Sequence, residues 1–116
     1  MMIDKAKKAL EGFEDGQSVW AATVFVKDGC VNSNRLVEVN TWVHEATVFS
    51  TQFGMIQLGA SAAPRSVSYG ETIHATSEAA WRWCEEQLTR GAADLMGAAS
   101  ESRRRAAVAA KASVPV

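Results

Sequence analysis

Apolar and polar positions alternate along this chain with two different periods, and the changes of period mark out the elements. Ile3, Ala6, Leu10 and Phe13 recur at spacings of three and four with lysines between them, which predicts an amphipathic N-terminal helix stopped near Gly16. From Ser18 to Lys27 the run Val19, Trp20, Ala21, Ala22, Thr23, Val24, Phe25, Val26 is apolar on successive residues, the mark of a strand covered on both faces. Such a strand needs a helix layer on one side, and on the other either more of this chain or a second copy of it. Arg35 to Val43 has the period of two: Val37, Val39, Thr41 and Val43 share one face, with Glu38, Asn40 and Trp42 on the other and Trp42 on the wetter side. Asp28-Gly29, or Asn32-Ser33-Asn34 just after it, supplies the reversal between these two strands.

Strand-like composition resumes at Ala46–Thr51 after a bend or bulge expected at His44-Glu45, and again at Met55–Leu58 and Arg65–Ala75. The small residues and proline of 59–64 form a loop between the last two. Thr76 then caps a helix with Glu78 in its first turn, where a carboxylate meets the positive end of the helix dipole. Trp81, Cys84, Leu88, Ala92 and Leu95 form one stripe on it, expected to face the core. At about 100° per residue Trp83 points roughly 200° away from Trp81. It stands beside Gln87 and Arg90, so Trp83, Gln87 and Arg90 are the residues expected to touch a partner. Gly97 is expected to interrupt the helix, leaving residues 98–116 as an Ala-rich helical or frayed tail behind a single domain of residues 1–97. The fold class that follows is α+β: an antiparallel sheet of three to five strands, flanked by an N-terminal helix and a long C-terminal helix. The expected core is Trp20, Val24, Phe25, Val26, Val37, Val39, Val43, Trp81, Cys84 and Leu88.

Composition narrows the function more by exclusion than by assignment. In 116 residues, 22% charged with a net charge of −1, there is no surplus of basic residues for a nucleic-acid or anionic-membrane surface. The order helix, three strands, helix resembles that of double-stranded-RNA-binding domains, whose last helix opens with phosphate-binding lysines. Here Thr76-Ser77-Glu78-Ala79-Ala80 places acid at that point, so the resemblance ends at element order and implies no RNA binding. The triplet Arg103-Arg104-Arg105 reads as a solvated helix end. No apolar run is long enough for a membrane span, and Met2–Phe13 is broken by charges, so no signal peptide is read there. With only Cys30 and Cys84, no zinc spacing or disulfide framework arises, and the cytoplasm is the expected compartment.

Catalytic patterns are wanting as well. His44 and Glu45, like Glu71 and His74, differ by an odd number in extended segments and so face apart. The eight glycines form no phosphate-cradling pattern, no cofactor is implied, and Cys84 reads as a small buried hydrophobe. The expectation is a non-enzymatic binding protein whose first partner is a second copy of itself. A different reading places a small-molecule pocket, binding or enzymatic, between sheet and helix, lined by Trp20, Trp42, Tyr69, Glu71 and His74. A further one is a phage or mobile-element accessory protein that binds a host protein.

Overall fold

The computed structural model describes residues 2–28 and 37–112, with side chains from residue 5 to 27 and from 38 to 112. The turn signals after Asp28, Cys30, and the side chains of Ile3 and Val37 lie outside the described residues. In chain order the elements are α1 (Met2–Ala9), β1 (Ser18–Asp28), β2 (Val37–Ser50), β3 (Met55–Gln57), β4 (Arg65–Ser66), β5 (Thr72–His74) and α2 (Ser77–Ala112). The five strands form one antiparallel sheet in the order β4-β3-β2-β1-β5. The fold is α+β, with a short N-terminal and a long C-terminal helix. The chain divides into two compact units, Met1–Glu85 and Glu86–Val116.

In the first unit each face of the sheet carries a helix, which accounts for the two-sided apolar strand. The register sets Val19 opposite Ala46 and Ala21 opposite His44, so odd positions of β1 share a face with even positions of β2. On that face Val19, Ala21, Ala46, Val48, Ile56 and Ile73 meet Ala6 of α1 and Leu10 just after it. On the other face Ala22 packs with Ala80 and Cys84 of α2, edged by Trp20, Val24, Val43 and Trp83. The adjacent alanines 21 and 22 are fully buried on opposite faces, and their small side chains let a helix approach from each side. The turn before β3 also meets α1: Gly54, at φ +64°, lies so close to it that an added Cβ would stand 2.5 Å from the Ala6 carbonyl carbon. Gly16 donates to the Val48 carbonyl at 2.7 Å and Val48 to that of Gln17 at 2.9 Å, fastening the segment after α1 to β2.

Several expectations are corrected. β2 is continuous from Val37 to Ser50, with His44 and Glu45 in regular register opposite Ala21 and Trp20, so there is no bend there. The segment 65–75 is two short strands joined by the turn around Gly70. Helix α2 runs unbroken through Gly97. Cys84 is buried as expected, while Trp20, Val24, Val43 and Leu88 are half-buried. Phe25, Val26, Val39 and Trp81 are exposed instead of core. The three strand residues lie on the β1–β2 ladder beyond Val24, the last residue of β1 that packs against either buried cluster. The buried set rests instead on alanines and on Leu10, Val19, Val48 and Ile56, of which Ala6 and Leu10 lie on the predicted helical stripe and Val19, Ala21 and Ala22 on the two-sided apolar strand.

The second unit is helix over its described residues 86–112, and apart from the half-buried Gln87, Leu88 and Glu101 all of these are exposed. Its helicity follows from local terms: alanine-rich composition, Lys111 in the last turn, and ion pairs from Glu101 to Arg104 (2.7 Å) and Arg105 (3.0 Å) one turn on.

Candidate functional site

Three places hold the residues singled out from the sequence. The first is the opening of α2. Thr76 caps it, accepting a hydrogen bond from the Ala79 N–H at 3.1 Å. The two tryptophans face opposite to expectation: Trp81 is 51% exposed, whereas Trp83 packs on the sheet beside Ala22, Ala80 and Cys84. Ala80, Trp83 and Cys84 follow the three-and-four spacing, and this is the stripe that docks. Across from it, His74 of β5 brings its ring centroid to 5.9 Å from that of Trp83 and its Nε2 to 2.8 Å from Thr72 Oγ1. Burial lowers the pKa of His74 and raises that of the Cys84 thiol, so each is held in its neutral form. A shielded neutral thiol is a poor nucleophile.

The second place is the open edge of the sheet, where β5 is the last strand. Glu71, just ahead of β5, is almost fully buried, and both its carboxylate oxygens accept from the Arg65 guanidinium at 2.8 Å. It also accepts from the Ser68 backbone N–H at 3.0 Å, and the carboxylate raises the pKa of Arg65. This fork ties β4 to the turn that leads into β5. Beside it lies a cavity of about 420 Å³ lined by Lys5, Val67, Tyr69, Glu71, Thr72 and Trp83, among others. Lys5 Nζ sits 4.7 Å from the centroid of the Tyr69 ring.

Of the five residues expected to line one pocket, Tyr69 and Glu71 line this cavity. Trp20 and His74 are cross-strand partners on the α2 face. Trp42 is on the opposite face, paired with Thr23, its ring 4.1 Å from that of His44. Lys5 and Val67 were missed by sequence reasoning, with only the weak signal that Lys5 punctuates the helical stripe, and Trp83 was singled out as a partner contact instead of a cavity wall. Among the described residues no three His, Cys, Asp or Glu side chains cluster so as to hold a metal ion.

The third place is the second unit. Gln87 is half-buried and Arg90 exposed, and the large apolar side chains Leu95, Met96 and Val108 are exposed. No described helix is long and apolar enough to cross a membrane. No family model, no curated protein and no solved structure matches the chain.

Proposed function

We propose that this protein is a non-enzymatic interaction protein that pairs with a second copy of itself through the helix of residues 86–112. The observation that carries this reading is a seam on that helix, exposed apart from the half-buried Leu88. Leu88, Ala92, Leu95, Ala99, Ser102, Ala106 and Ala109 recur at alternating spacings of four and three, the repeat by which two helices interlock. A helix of this length, about 40 Å, presents the seam over several turns. The one polar member, Ser102, donates its hydroxyl to the Ala98 carbonyl at 2.9 Å, so its burial leaves no unsatisfied donor. The alanines allow two backbones to approach closely, and leucines then supply most of the energy. A two-fold contact buries four of them, at about 1.5–3 kcal/mol for each exposed Leu95 and about half that for each half-buried Leu88.

Charge sets the direction of pairing. Glu86 and Asp94 outweigh Arg90 in the first half of this segment, while Arg103, Arg104, Arg105 and Lys111 outweigh Glu101 in the second. Parallel helices would place the arginine triplets side by side, whereas antiparallel helices set acid against base. Light scattering tests the reading. The wild-type mass should rise from 12.5 kDa toward twice that value with concentration. A Leu88→Glu/Leu95→Glu variant should stay at the monomer mass with its sheet intact by circular dichroism. A wild-type protein that is monomeric up to about millimolar concentration would sink the proposal.

A further inference from the structure

We propose that the cavity at the β5 edge is a binding site for a small aromatic anion, with Lys5 as its counter-charge. Its volume of about 420 Å³ falls within the range of small-molecule sites, roughly 300–1,000 Å³. The walls suit an apolar, aromatic body: Tyr69 and Trp83 line the cavity with aromatic side chains and Val67 with an aliphatic one.

The charges fix its sign. Two ionisable side chains of opposite charge line the cavity, Lys5 and Glu71. Glu71 is already neutralised, since both its oxygens are held by Arg65 and a third hydrogen bond comes from the Ser68 N–H. Lys5 is exposed, and among the described residues it forms no ion pair; its contact is the Tyr69 ring. The field open to a ligand is therefore that of the ammonium group. A carboxylate on an aromatic ring satisfies both demands at once, its charge on Lys5 Nζ and its ring between Tyr69 and Trp83.

The experiment is a titration of the full-length protein, followed by nuclear magnetic resonance at the Trp83 indole N–H. Three probes of one shape are compared: 1-naphthoate, 1-naphthalenemethanol and 1-naphthylmethylammonium. The proposal predicts a saturable shift at Trp83 with naphthoate, and binding weaker by about ten-fold for the alcohol and more for the cation. Lys5→Gln should weaken naphthoate by about the same factor and leave the alcohol unchanged; Lys5 is exposed on α1, so this variant keeps the fold. Tyr69→Ala should weaken all three. No saturable shift at Trp83 by about 1 mM, equal affinity for anion and cation, or a Lys5→Gln variant that binds naphthoate as wild type does would each overturn the assignment. Self-association of the second unit has no bearing on these outcomes.

Discussion

Replacing Gly54 by alanine should be among the most damaging single-methyl changes available in this protein, and its cost can be resolved into two parts. Gly54 has φ +64°, a left-handed conformation that disfavours any L side chain by about 1–2 kcal/mol. The added Cβ would also stand 2.5 Å from the Ala6 carbonyl carbon, 2.6 Å from the Ala6 Cβ and 2.6 Å from the Lys7 nitrogen. Two of those three are backbone atoms of α1, so no rotamer change relieves the clash. Either the turn or the helix must move, and moving α1 lifts Ala6 and Leu10 off the sheet. Overpacking of this kind adds about 1–3 kcal/mol, for a total of about 2–5. Gly12 isolates the first part: its φ is +87° and nothing lies within 4 Å of its added Cβ, so Gly12→Ala should lose only about 1–2 kcal/mol. Urea denaturation of both variants, read by circular dichroism and tryptophan fluorescence, measures the difference. We expect about 1–3 kcal/mol, a separation of roughly 4–24 °C in Tm for a unit of this size. Losses within about 0.5 kcal/mol of each other would refute the close packing of α1 on the turn before β3.

Glu71→Gln should destabilise by about 2–3 kcal/mol in the same assay, below the full loss for a buried pair because the Arg65 side chain is 33% exposed. A loss under about 0.5 kcal/mol would show that the fork does not hold β4 to the turn before β5. Trp83→Ala should cost about 2–3 kcal/mol, since the indole is only half-buried, and Trp81→Ala less than about 1. The reverse order would restore the stripe through Trp81. His74 should make stability depend on pH: its folded pKa is lowered by burial, so the unfolded chain takes up the proton first as pH falls. Stability is full above the ordinary value of 6.5 and declines as pH drops through it toward the folded-state pKa, and His74→Phe should flatten that slope. An unchanged slope in the variant would assign the dependence to another group.

The parts of the fold that are legible in the sequence are those with a local cause. β1 follows from a dense apolar and β-branched run, the 59–64 loop from its small residues and proline, and the start of α2 from the Thr76 cap. Facing was harder to read, because it depends on what lies across the interface. On α2 the stripes Trp81-Cys84-Leu88 and Ala80-Trp83-Cys84 share a residue, and the strong repeat of Leu88, Ala92 and Leu95 drew the expected face onto Trp81. The docked turns are chosen by the sheet instead, where Ala22 leaves room for Ala80 and the edge offers Trp20 and the His74 ring to Trp83. Likewise Glu71 was weighed only against His74, whereas its partner Arg65 lies across an irregular turn that no periodicity encodes. The bend expected at His44-Glu45 came from reading two polar residues as punctuation, where they are simply adjacent positions of a strand that faces both ways.

The central claim, antiparallel self-pairing of the second unit, is tested most directly by distances between spin labels on two copies of the chain. Cys30→Ser and Cys84→Ala give a background free of native thiols. With Glu86→Cys labelled in both copies, antiparallel helices predict a separation of about 40 Å, while a mixture labelled at Glu86→Cys in one copy and Lys111→Cys in the other should give a much shorter one. A short distance between the two residue-86 labels, or no dipolar coupling between copies at all, would contradict the account.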